Sequence, residues 1–441
     1  MAISPIETRY KTEMNSLFGD EARLRSWMRV ELALARAHSK LGHIPADAPD
    51  DIEKAVAKVS VARVQQIEDE IHHDLMAMVK ALSEQCEKHG GYVHYGATSY
   101  DIEDTALALT MRDAAGLIRS RLVGLADILA KLAIEKKNLV CVGRTHGQHA
   151  VPTTYGMKFA LYYDSTIRNI SRLDDATRQI SVGKMSGAVG TMATFGDDAL
   201  RLQELVMNEL GLTPAPITSQ VIGRDRHAQM IFTLALIAAS IEQIAKEIRN
   251  LSRNEILEVA EGFTQKQVGS STMPQKRNPH KSERLCSISR LVRMHTQVAL
   301  ENIPLEHERD LTNSANERFI IPESFILCDY MLKQAQAILS TLEFFPENIE
   351  RNLNLTQGGI LAERAMICLT HAGMGRQEAH ELMRVSAKDA IAKNQPLKEI
   401  LSQNLDVKKY LNQKKLDEIF DAHTYTGKAG EIVKKVVSDK K

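Results

Sequence analysis

Residues 267–283 read QVGSSTMPQKRNPHKSE, a run in which small and hydroxylic residues give way to Pro274, Lys276, Arg277, Asn278, Pro279 and Lys281. Two prolines preclude a continuous helix. The loop offers backbone N–H groups in a turn around Gly269, the hydroxyls of Ser270 and Ser271, an ammonium and an amide. Such a set can hold a carboxylate and stabilise charge developing on it. The same composition also describes a solvated basic loop closing a long helix.

Three further stretches carry groups of the same kind. Residues 143–149, GRTHGQH, set His146 between glycines beside Thr145 and Arg144. A histidine there can exchange a proton near neutral pH, or simply cap a turn. His72, His73 and Asp74 precede Tyr92, His94, Gly96, Thr98 and Ser99. Asp74 can fix a histidine tautomer, and Thr98 with Ser99 can cap a helix beginning at Asp101 and receive an anion there. The histidines lack the helical spacing of a zinc site, so no metal is expected. In HERDLTNSANER, Arg309, Ser314 and Arg318 form a donor set for phosphate, although Glu306, Glu308, Asp310 and Glu317 equally suit a solvent-facing charged turn.

The elements that must position these groups are helical. Leu234, Ile237, Ile241, Ile244, Ile248 and Leu251 fall on one stripe, and no proline interrupts residues 217–273. One helix over residues 226–261, roughly 50 Å long, is predicted. Ile118, Leu122, Leu125, Ile128 and Leu132 form a second stripe within 102–138. Helical patterns also cover 155–180, 283–300 and 322–342. Short β-type runs sit near Val140 and Val189. The pattern predicts an all-α protein built around a long-helix bundle, with a small helical domain from Leu353 onward.

The 441 residues, 44% apolar and 25% charged, are enough to bury several layers of core. Lys+Arg and Asp+Glu are both 56, so no obligatory nucleic-acid or membrane partner is indicated. The start of the sequence lacks a signal-peptide pattern and no uninterrupted apolar run is long enough to span a bilayer, which predicts a cytoplasmic protein. Five scattered cysteines read as reduced core thiols.

Residues 269–283 fit throughout the form G-S-S-x-x-P-x-K-x-N followed by glutamate, and the other glycine-rich stretches stand in matching order. In this the chain resembles the fumarase/aspartase superfamily along nearly its whole length. The resemblance implies three helical domains, here 1–100, 101–352 and 353–441. The central bundle would form the core of a homotetramer whose active sites each draw on three subunits, with the apolar stripes buried between them. It implies β-elimination of fumarate without a cofactor. Ser270 would be the base, His146 the acid, Glu283 its orienting partner, and Lys276 with Asn278 the stabilisers of the aci-carboxylate; His73 joins this catalytic set. Asp74, His94, Thr98, Ser99, Thr145, Gln220, Arg284 and Arg309 would bind substrate, and Arg9, Tyr10, Ser314 and Arg318 would hold a phosphate. These last positions resemble the branch that breaks a carbon–nitrogen bond in succinylated purine nucleotides. Asn313, where that branch often has histidine, and Leu305-Glu306-His307 depart from it. The alternatives are an argininosuccinate- or carboxymuconate-type enzyme of the superfamily, or a non-catalytic protein on its scaffold.

Overall fold

Ile118, Leu122, Leu125 and Leu129 are all buried, as steps of three and four residues require of a helix with one covered face. They belong to the helix Ser99–Glu135, one of five long helices with Tyr155–Ile180, Asp225–Leu251, His280–Glu301 and Ser314–Ser340. A computed structural model describes residues 4–263 and 270–438. The expected all-α architecture holds: among the described residues, sheet is confined to three two-stranded pairings. Gln267, Val268 and Gly269, with which the reactive loop was expected to open, lie outside the described residues.

Several local expectations are corrected. The helix predicted over 226–261 ends at Leu251. No proline stops it; Leu257 turns left-handed (φ 42°) and the N–H of Glu258 returns to the Leu251 carbonyl at 3.0 Å. The helix predicted from Pro322 begins at Ser314 and carries that proline within it. Here the turn before the helix is locked by buried Asn313, whose amide donates to Glu317 at 3.0 Å, and the single bond lost at Pro322 is tolerated. Val189 is not in a strand; the nearest one is Val182–Gly183. Gly190 (φ 85°) breaks the extended run, and a Cβ there would lie 2.1 Å from the Thr218 carbonyl oxygen.

The chain forms two compact units. The first comprises residues 1–123, 168–242 and 285–334. Its core gathers Leu24, Met28, Leu34, Leu75, Met78, Ile102 and Leu202, drawn from Asp20–Lys40, Asp74–Gln85, Ser99–Glu135 and Ala199–Leu210. The second comprises 124–167, 243–284 and 335–441. It holds the hairpin Val140–Thr145/Gln148–Thr154, whose Val140 and Val142 pack with Leu353, Ile360 and Leu361, and a separate core of short helices around Leu369, Leu401 and Leu416.

The six-residue stripe of Asp225–Leu251 was expected to be covered by other subunits. All six residues are instead buried within the single chain. By length and composition this helix is apolar enough to cross a membrane, but 67% of its most apolar window is already covered inside the chain. The five cysteines are free thiols; Cys141, Cys286 and Cys328 are buried.

Candidate active site

In the first unit, the turn before Ser99–Glu135 is fixed by the side chain of Asp101. The helix begins at Ser99 rather than at the expected Asp101, because Asp101 reaches back to accept the Thr98 N–H at 2.9 Å. Asp101 is fully buried and also accepts from Ser186 N (2.8 Å) and from the Lys184 ammonium (2.5 Å), itself without exposure. Thr98 and Ser99 are therefore held on a rigid base. His94, left-handed at φ 63°, is bound through its backbone N–H and Nδ1 to the buried carboxylate of Glu31, at 3.0 and 2.7 Å. Burial would lower the His94 pKa, but the Glu31 carboxylate bonded to it and the charge of Asp101 outweigh that and raise it.

The expected phosphate donors lie in the same unit. Arg309 stacks 3.5 Å from the centroid of the Tyr100 ring and donates to Gln220 Oε1 at 2.9 Å; its buried Nε has no hydrogen-bond partner among the described residues. The Tyr100 hydroxyl meets Ser314 Oγ at 3.4 Å. Arg318 donates to Asp74 at 2.6 Å. Burial would raise the Asp74 carboxyl, yet Arg318 holds it below its ordinary range. Asp74 was expected to steady a histidine; its strong partner is Arg318, with His73 Nδ1 at 3.8 Å. His73 is the exposed N-cap of Asp74–Gln85, accepting the Met76 N–H at 3.4 Å. Tyr100, Ser314, Arg318 and Glu103 line one cavity with Trp27 and Ile321. Tyr10 packs edge-on against Tyr330, and Arg9 is exposed beside it in sequence.

In the second unit, Thr145 and His146 stand exposed at the tip of the β-hairpin. His146 (φ 53°) and Gly147 (φ 74°) form the two-residue loop with both positions left-handed that suits the twist of paired strands. The hairpin is anchored below its tip by Glu258, fully buried, which accepts from Arg144 (2.5 Å), Tyr155 (2.5 Å) and Asn352 (2.9 Å). His149, half-buried beside Arg144, is lowered in pKa by burial and by that guanidinium.

The stretch leading into the helix His280–Glu301 is described from Ser270 onward. Ser270 Oγ accepts the Met273 N–H at 3.1 Å and the Thr272 N–H at 3.4 Å. Lys276, Asn278 and Glu283 line a cavity of about 800 Å³ with Arg249, Asn250 and Arg253, a basic surround suited to anions. The helix His280–Glu301, which carries Glu283 and Arg284 in its first turn, starts on buried Glu261, an acceptor for Ser282 N at 2.6 Å.

The structure thus brings Lys276, Asn278 and Glu283 to one cavity, and Tyr100, Ser314 and Arg318 to another. Within the single chain, Glu283 makes no hydrogen bond or ion pair with His146 among the described residues. The sequence reading missed Glu31, Asp101, Glu103, Lys184 and Glu258. One signal was available: Glu31 shares a helical face with Trp27, Leu34 and His38, all buried, and an acid on such a face needs a partner. For Glu258 no local signal existed.

A model of the family described as Lyase matches residues 8–293, more than half of the chain, and one described as adenylosuccinate lyase C-terminus matches 358–436. The chain is 52% identical over 440 residues to an adenylosuccinate lyase of Pyrococcus horikoshii, covering 99% of this chain and 98% of that one. It is 48% identical to the adenylosuccinate lyase of Methanothermobacter thermautotrophicus, covering 100% and 99%. Among solved structures, the 3-carboxy-cis,cis-muconate lactonizing enzyme of Pseudomonas putida superposes with a TM-score of 0.91 at 32% identity, covering 99% of each chain.

Proposed function

We propose that this chain, which belongs to the adenylosuccinate lyases of the fumarase/aspartase superfamily, removes fumarate by β-elimination from adenylosuccinate, leaving AMP, and from succinyl-aminoimidazole-carboxamide ribotide. The observation that carries this reading is the similarity to adenylosuccinate lyases along the whole chain. The chemistry takes a weakly acidic proton from the carbon beside a carboxylate and expels nitrogen from the next carbon, so it needs a base, an acid and a cradle for a doubly charged carboxylate. In this reading Ser270 is the base, His146 protonates the leaving nitrogen, Glu283 orients His146, and Lys276 and Asn278 stabilise the aci-carboxylate. A serine hydroxyl is too weak an acid to serve in open water, so the reading requires Ser270 to be enclosed among cationic and N–H donors before it acts. His73 stands with this catalytic set, and His94, Thr98, Ser99, Thr145, Gln220 and Arg284 bind substrate. Arg9, Tyr10, Arg309, Ser314 and Arg318 meet the phosphate end, Asp74 releasing Arg318 to it.

The same reading makes the protein a cytoplasmic homotetramer of three-domain chains, 1–100, 101–352 and 353–441, with each site completed by residues of different subunits. The Glu283 and His146 that act together would come from different copies.

The test is ultraviolet detection of fumarate release from both succinyl-nucleotides. Wild type should act on both, and Arg318→Ala should raise the Michaelis constant about tenfold for each while turnover at saturation falls less. A dephosphorylated substrate should bind wild type poorly and lose little more in the variant, since the missing contact is counted once. A wild-type preference for argininosuccinate or a carboxymuconate would defeat the nucleotide reading and leave the superfamily chemistry standing.

A further inference from the structure

His94 is gripped at two points by one carboxylate. Glu31 Oε2 accepts its backbone N–H at 3.0 Å and Oε1 its Nδ1 at 2.7 Å, and the Glu31 side chain is 1% exposed. Two contacts from one rigid acceptor fix both the left-handed backbone turn and the ring plane. With Nδ1 committed to Glu31, the ring presents Nε2, which makes no hydrogen bond among the described residues. The charge follows from burial: a carboxylate so enclosed is costly unless a cation faces it, and the group in contact with it is this imidazole. The acids acting on His94 come from two helices, Glu31 on Asp20–Lys40 and Asp101 with Glu103 on Ser99–Glu135. Glu31 and Asp101 favour the imidazolium and outweigh the burial that opposes it; Glu103, itself pushed up by burial, adds to them only where it is ionised.

We propose that Glu31 is a positioning residue that holds His94 as a fixed donor whose Nε2–H is presented to an anionic oxygen of the substrate, a phosphate or a carboxylate. The arrangement is a buried acid behind a histidine, in which the acid sets tautomer, orientation and charge while the far ring nitrogen meets the ligand. The inference rests on the proposed function only for the identity of that anion. Glu31 itself touches no substrate; its effect passes through His94.

The experiment compares wild type, Glu31→Gln and Glu31→Asp as full-length protein. Binding of AMP and of fumarate is measured separately by calorimetry from pH 6 to 9, and kcat and KM for fumarate release are followed alongside. In Glu31→Gln, burial acts on His94 without its principal counter-charge, so the ring should lose its proton at lower pH than in wild type. Anion affinity should then weaken about tenfold for each pH unit by which the ring pKa has dropped, at pH values above the wild-type pKa of the ring. KM should rise more than kcat falls. Whichever of AMP and fumarate shows the loss identifies phosphate or carboxylate as the anion, and Glu31→Asp should recover part of it by restoring the charge. A merely structural role for Glu31 would lower thermal stability and activity with the pH profile unmoved, and that outcome overturns the proposal. The ring is also followed directly by NMR of histidine-labelled protein, with His94→Gln to assign its resonance. A His94 pKa equal in wild type and Glu31→Gln overturns the proposal whatever the substrate, whereas absence of fumarate release from adenylosuccinate defeats only the functional reading.

Discussion

Glu103 shows how a single residue's environment sets its chemistry. It lines the cavity of Tyr100, Ser314 and Arg318, and its carboxyl is pushed from an ordinary 4.5 up to about 8, first by burial and then by the charges of Asp74 and Asp104. At neutral pH it is therefore largely protonated, so the cavity beside Arg318 does not carry that extra negative charge against a phosphate. The sign of the stability effect follows. The native state binds a proton the unfolded state has released, so stability is highest below about 4.5 and declines as pH rises toward about 8. Glu103→Gln mimics the neutral acid and should remove that decline. Thermal unfolding should find the variant near wild type at pH 4.5 and progressively more stable than wild type up to pH 8; parallel curves would mean that Glu103 is ionised throughout.

At the scale of elements, the hairpin presenting His146 depends on a residue far away in sequence. Glu258 joins Arg144 of the first strand, Tyr155 at the start of the following helix and Asn352 of Pro346–Asn354. Removing the acid leaves a guanidinium, a phenol and an amide short of an acceptor. Glu258→Ala should destabilise by about 3–5 kcal/mol, as breaking a buried pair does, with the 17% exposure of the Arg144 side chain pulling toward the lower figure. Tyr155→Phe, which loses one hydrogen bond, should cost about 1 kcal/mol. Denaturant melts of both variants check this, and equal midpoints would show that Glu258 does not anchor the hairpin. Turnover should fall in Glu258→Ala even where the protein stays folded, because the proposed acid then lacks a fixed base.

For the whole molecule, association cannot rest on the apolar stripe of Asp225–Leu251, since that stripe is consumed inside one chain. The long helices nevertheless leave other large apolar side chains uncovered. Leu161, Phe232, Leu291, Met294 and Phe319 are each more than two-fifths exposed, on four of the five long helices. These are the residues on which the proposed tetramer would close. Subunit exchange tests the shared sites: His146→Ala and Ser270→Ala proteins, each inactive, should regain part of the wild-type activity when mixed and allowed to exchange, because some sites then contain only wild-type residues. Hybrids verified by mass but still at parental activity would mean that each site takes both residues from one chain.

The all-α class, the long helices and the non-helical stretch from Ser270 to Pro279 were legible in the sequence because each is written locally. Helical stripes recur every three or four residues, and two prolines within six residues exclude a continuous helix. What the sequence did not decide is who meets whom. His94 and Glu31 are 63 positions apart, Asp74 and Arg318 are 244 apart, and the three partners of Glu258 lie 94 to 114 positions from it. The end of the helix at Leu251 belongs to the same class, since it is set by the path that leads Glu258 into the core. Charge, tautomer and pKa depend on distance and on how much water is excluded, and those quantities come into being only when distant segments pack. The sequence by itself determined which groups were available and on which elements they ride; the tertiary structure alone decided their partners, and with them which groups carry charge.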